Sequence, residues 1–175
     1  ADRVEELGLS IEPFEDASLT NLRNTLPAFA SFANPLDVTA GALSSPEVIK
    51  VALQAVVADA NVDMLAVGLA AVSGTAALIA AHALAEIAKE YALPIAIAWN
   101  APKHLNKEAY NILESAGLSV FATPSRAIRG LSAAYRFGSA LQNKETLNEL
   151  CQIEAVNTNV KTRLLDEMES KVFLQ

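Results

Sequence analysis

The run Asn34-Pro35-Leu36-Asp37-Val38-Thr39 concentrates more usable chemistry than any other stretch of this chain. It sets a pre-proline residue, a proline of fixed φ, a carboxylate and a hydroxyl within six positions, which suits a shaped polar loop. Such a loop could present Asn34, Asp37 and Thr39 to a ligand, or Asp37 could simply cap a local backbone group. A second stretch, Ala70-Ala71-Val72-Ser73-Gly74-Thr75, gathers small residues ahead of a helical pattern, so its amides, around Ser73 and Gly74, could approach an anion. The plainer alternative makes Ser73 or Thr75 the cap of that helix. A third, Trp99-Asn100-Ala101-Pro102-Lys103-His104, offers the Asn100 amide, an ammonium and an imidazole after an apolar strand pattern. Its plainer reading has Trp99 plugging a core edge and Lys103 and His104 solvated. In a fourth, Phe121-Ala122-Thr123-Pro124, a threonine cap accounts for everything seen.

Other chemistries find little support. His82 and His104 lack metal-ligand spacing to another His or Cys, so no metal site is expected. His82 sits in Ile79-Ala80-Ala81-His82-Ala83-Leu84 and reads as a core-edge histidine. The single cysteine, Cys151, excludes an intramolecular disulfide, has nothing nearby to lower its thiol pKa, and favours a reducing, cytoplasmic compartment. Neither the Walker nor the dinucleotide glycine pattern occurs. Arg126, Arg129 and Arg136 step along one helical face and suit a solvated or domain-contact stripe better than a phosphate clamp. A formal net charge of −7 argues against a nucleic-acid surface. The most apolar stretch, 62–88, is broken by Asp63, Ser73, Gly74, Thr75, His82 and Glu86, so no membrane span is expected.

The elements that must carry these loops alternate between strand-like and helix-like. Strand candidates fall at 9–12, 64–69, 94–99 and 119–122, the first being the weakest. Helices are expected up to a C-cap at Gly8, from an N-cap at Ser45 through 58, over 74–91, over 106–116 with Gly117 closing it, and from Thr123 through 137. This alternation predicts an α/β domain with a parallel sheet, whose ligand loops follow the strands at their carboxyl ends. After Gly138 the composition turns polar, and two short amphipathic helices are expected near 146–155 and 161–173. The expected division is therefore a domain over 1–138 and a helical linker over 139–175. The 175 residues, 52% of them hydrophobic, suffice for one such core.

The order of motifs carries a resemblance. Asn34-Pro35-Leu36-Asp37-Val38-Thr39 precedes a helix, then Asp59-Ala60-Asn61-Val62-Asp63-Met64-Leu65-Ala66-Val67, then Leu93-Pro94-Ile95-Ala96, then Ala116-Gly117-Leu118-Ser119-Val120-Phe121-Ala122-Thr123-Pro124-Ser125-Arg126-Ala127. This set resembles the NDP-forming acyl-CoA synthetases, relatives of succinyl-CoA synthetase, and within them the second flavodoxin-like domain. The resemblance implies a flavodoxin-like three-layer parallel sheet, with its N-terminal strand missing and a C-terminal helical linker leading to an ATP-grasp domain. The tail Leu164-Leu165-Asp166-Glu167-Met168-Glu169-Ser170-Lys171 agrees with that linker, so the chain reads as a fragment of a fused protein. It further implies interconversion of acyl-CoA, ADP and phosphate with acid, CoA and ATP through an acyl phosphate and a phosphohistidine. On that basis Asn34, Asp37, Thr39, Ser73, Gly74 and Asn100 face the acyl phosphate side and no catalytic residue lies in this chain. CoA, ATP or ADP, and Mg would be held by CoA-binding, phosphohistidine and ATP-grasp domains of the same protein, and none by this fragment. The stretch Ala70-Ala71-Val72 is bulkier than the glycine-rich loop of succinyl-CoA synthetase, a departure at the phosphate side. A missing sheet member would leave an unpaired edge and favour homo-oligomers. A stand-alone flavodoxin-like binding or regulatory module remains the alternative.

Overall fold

The computed structural model describes residues 2–153. They form α1 (Asp2–Glu6), α2 (Asp16–Thr25), α3 (Thr39–Ala42), α4 (Pro46–Val57), β1 (Leu65–Leu69), α5 (Thr75–Glu90), β2 (Ile95–Trp99), a 3-10 turn (Lys103–Leu105), α6 (Lys107–Ser115), β3 (Ser119–Phe121) and α7 (Pro124–Ile153). The three strands make one parallel sheet in the order β1-β2-β3, with Leu65 opposite Ile95 and Ala96 opposite Ser119. Each crossover is a helix, as parallel pairing requires.

Period-two alternation sorts the side chains onto the two faces. Leu65, Leu69, Ile95, Ile97 and Trp99 join buried residues of α2, α4, α5 and α6 in the larger core. On the opposite face Ala96 and Ala98 pack with Ala127 and Leu131 of α7, against Leu9, Met64 and Phe121. Every residue of β2 is buried, because helices cover it on both sides. β1 is covered on one face only, and its Ala66 and Gly68 are exposed. The small side chains of β2 let α7 come close. A Cβ on Gly130 would stand 2.8 Å from Cζ of Phe121, so a larger residue at this position of α7 requires the Phe121 ring to shift.

Local signals explain the ends of the elements. The Ser45 hydroxyl accepts from the Val48 amide at 3.4 Å and Pro46 opens α4, as the sequence predicts. Gly8 at φ +73 closes α1, with the Leu9 amide donating to the Val4 carbonyl at 3.1 Å and that of Gly8 to Glu5 at 2.9 Å.

Two expectations are corrected, and helix α2 is new. Residues 9–12 are not a strand, for among the described residues no strand pairs with them and side-chain amides take up nearby carbonyls. Asn34 Nδ2 donates to the Glu12 carbonyl and Asn61 Nδ2 to that of Pro13, each at 2.9 Å. Helix α2 was not expected, although Leu19 and Leu22 mark its inner face and Glu15 and Asp16 its acidic start. Lastly, Gly138 does not end α7, which runs on to Ile153 where a separate helix from 146 was expected. A glycine inside a helix costs about 1 kcal/mol relative to alanine and does not stop it by itself. The second expected helix, 161–173, lies outside the described residues. The chain divides into two compact units, Ala1–Phe137 and Gly138–Gln175.

Candidate functional site

The loops that follow β1 and β2 lie at the carboxyl end of the sheet and are joined to each other. The Ala71 amide donates to Asn100 Oδ1 at 2.9 Å, and the Trp99 indole Nε1 donates to the Val72 carbonyl at 3.0 Å. Trp99 is only 1% exposed and so provides a rigid mount. Its ring stacks on Tyr110 with centroids 4.5 Å apart and planes 8° from parallel, and the Tyr110 hydroxyl donates to the Ala101 carbonyl at 3.2 Å. Burial raises the Tyr110 pKa, with Glu114 adding to the rise and Lys103 opposing it. Lys103 lies 5.5 Å from the centre of the Tyr110 ring and pairs with Glu114. The sequence-level view of Trp99 as a plug therefore holds, but the plug also grips a loop.

The turn 34–39 is ordered by a separate set of contacts. Its Asn34–Pro35 peptide is cis. Asn34 is tied back to Glu12, the Asp37 amide donates to the Ser31 carbonyl at 3.3 Å, and the Thr39 amide donates to Asp37 Oδ1 at 2.9 Å. Asp37 thus makes the local backbone contact that its position suggested. Thr39 stands at φ +63, which is unusual for a β-branched residue, and its Oγ1 is shielded with no hydrogen-bond partner. Ala71, at φ +53, is the other non-glycine residue of positive φ among those described. The two left-handed residues fall in two of the loops that the sequence singled out. In each case a side-chain oxygen, from Asp37 or Asn100, accepts the amide hydrogen of the left-handed residue.

Of the six candidate residues, Asn100 is thereby brought to the loop holding Ser73 and Gly74, and Asp37 to Thr39. Among the described residues no hydrogen bond links these two groups. Gly74, at φ +61, is the N-cap of α5, and neither Ser73 nor Thr75 caps it by a side chain. That corrects the expected cap. His82 is exposed on α5 and not at a core edge, because the inward positions of that helix go to Ala81, Ala83, Leu84 and Ala85. Thr123 does act as expected, its Oγ1 accepting from the Arg126 amide at 3.4 Å. Among the described residues no three His, Cys, Asp or Glu side chains are gathered as a metal site would need. A cavity of about 520 Å³ lies at the other end of the sheet, where Pro94, Ile95, Leu118 and Ser119 meet Gly130 and Leu131. None of Asn34, Asp37, Thr39, Ser73, Gly74 and Asn100 lines it.

One anchoring residue escaped the sequence reading. Asp59 is 3% exposed and accepts from the Glu15 amide at 2.8 Å and the Asn61 amide at 2.9 Å. Burial by itself raises its pKa, but hydrogen bonds from Ser18, Asn61 and Glu15 outweigh that and leave it below the usual carboxylate value. The carboxylate fastens the start of α2 to the turn after α4. Its signal was its place at the head of the segment entering β1.

A parallel sheet flanked by helices, with shaped loops at the strand ends, defines this unit as an α/β domain of flavodoxin-like fold. No family model matches the chain. Over 149 residues, 85% of its length, it is 28% identical to an ADP-forming acetate–CoA ligase of Archaeoglobus fulgidus, of which it covers 20%. A Pyrococcus horikoshii protein of known structure superposes with a TM-score of 0.65 at 25% identity, over 77% of this chain and 30% of that one. The dinucleotide-forming acetyl-coenzyme A synthetase 1 of Candidatus Korarchaeum cryptofilum, in its apo form, superposes with a TM-score of 0.66 at 24% identity, over 79% and 30%. The same synthetase solved with phosphate and ADP matches equally well in fold. The chain is thus similar to an ADP-forming acetate–CoA ligase, in line with the order of its motifs, and it spans less than a third of the length of the proteins it matches. No helix among the described residues is long and apolar enough to cross a membrane.

Proposed function

We propose that this chain acts as one domain of an acyl-CoA ligase that interconverts acyl-CoA, ADP and phosphate with a carboxylic acid, CoA and ATP. The observation that carries the reading is the relationship to an ADP-forming acetate–CoA ligase over 85% of the chain. It is supported by the latched loops at the carboxyl end of a matching sheet, where ligands of open α/β domains collect. In this reading the loops bearing Asn34, Asp37, Thr39, Ser73, Gly74 and Asn100 form one wall of the acyl phosphate site. The phosphorylated histidine, the CoA pocket and the nucleotide site belong to other domains of the same protein, a division of labour that makes this chain catalytically incomplete and a cytoplasmic location natural. Residues 1–138 are the flavodoxin-like domain and 139–175 the linker to ATP-grasp.

The test is an assay of the full-length protein for CoA-dependent and acid-dependent change in ADP across a panel of carboxylic acids. Turnover with at least one acid is the expected result. Absence of turnover with every acid sinks the reading and favours a binding or regulatory module.

A further inference from the structure

We propose that Asn100 is a positioning residue, which with Trp99 forms a latch through which the end of β2 sets the backbone of the loop between β1 and α5. Its relevance to catalysis rests on the reading that this loop lines the acyl phosphate site. The latch itself rests on geometry. Ala71 stands at φ +53, a left-handed conformation that is unfavourable for an L-residue and that alanine has no side chain to offset. Its amide is held by Asn100 Oδ1 at 2.9 Å, and the carbonyl of the next residue, Val72, is held by Trp99 Nε1 at 3.0 Å. Two consecutive loop residues are therefore gripped, one as donor and one as acceptor, by two consecutive residues at the end of β2. Trp99 cannot yield, being buried and stacked on Tyr110. Asn100 is exposed, so packing does not account for its place. The same device holds Thr39, whose left-handed amide donates to Asp37 Oδ1. Asn100 accordingly acts through Ala71, with its acceptor oxygen already engaged.

Residue-resolved hydrogen exchange on the full chain, comparing Asn100→Ala with Asn100→Asp, tests the latch. Asp keeps an acceptor oxygen and Ala does not. In Asn100→Ala the Ala71 amide should exchange roughly tenfold faster, the loss expected for one hydrogen bond, while core amides of β2 hold their wild-type rates. Emission from Trp99, the single tryptophan, should shift with it. In Asn100→Asp the Ala71 amide should stay within about twofold of wild type. Wild-type exchange at Ala71 in Asn100→Ala overturns the latch. Equal acceleration in Asn100→Asp overturns the acceptor role, and a uniform rise at every amide reduces the residue to general stability. None of these readouts needs turnover, so the latch can fail while the ligase reading stands, and the reverse.

Discussion

At the scale of single residues, Asp59 and Trp99 show how one side chain ties distant parts of the chain together. Asp59 joins residues 15, 18 and 61 through hydrogen bonds to its carboxylate, so Asp59→Ala takes the buried acceptor from all three part-buried donors. A loss of about 1–3 kcal/mol in urea unfolding is expected. The sign with pH follows from the lowered pKa. The contribution is complete above the unfolded value, near pH 4, and is lost as pH falls through the lower folded value. The stability gap between wild type and Asp59→Asn should therefore narrow as pH falls below the unfolded value, and a gap that stays constant would contradict the assignment. Trp99→Phe keeps the stack on Tyr110 but removes the donor to Val72, so a loss of about 1 kcal/mol is expected in the same measurement.

At the scale of elements, α7 reaches the sheet through its glycine. Gly130→Ala gains about 1 kcal/mol of helix propensity, but the new methyl meets the Phe121 ring, and overpacking of this kind costs about 1–3 kcal/mol. Net destabilisation is expected in wild type, turning to stabilisation in a Phe121→Leu background, as thermal unfolding of the four variants would show. The same sign in both backgrounds would rule out the clash. Helix starts at Ser45 and Thr123 were legible because a cap needs only neighbours in sequence. Residues 9–12 were misread for the opposite reason, since a strand needs a partner and apolar content cannot supply one.

At the scale of the whole molecule, the outer edge of β1 is expected to promote self-association. The Leu65 amide donates to the Pro94 carbonyl, so by alternation the amides and carbonyls of Ala66 and Gly68 point away from β2. No strand meets them among the described residues, and Leu65–Leu69 carries neither charge nor proline to protect that edge. We expect the chain to self-associate with rising concentration in light scattering, and Ala66→Lys to suppress this. A monomer at all concentrations would refute the edge argument. The similarity to an ADP-forming acetate–CoA ligase likewise extends over most of the chain, as does the match of the folds.

The α/β alternation, three of the strands, most of the helix ends and the similarity to an ADP-forming acetate–CoA ligase were legible in the sequence, because all of these depend on local pattern or on motif order. The sequence also marked the loops that the sheet brings to its carboxyl end. The tertiary structure alone decided which groups in those loops are committed. Ala71 has no sequence mark of a left-handed residue, and Asn100 and Trp99 lie 28 or more positions away from it. Only the side-by-side pairing of β1 and β2, with Leu69 opposite Trp99, brings them within hydrogen-bonding distance.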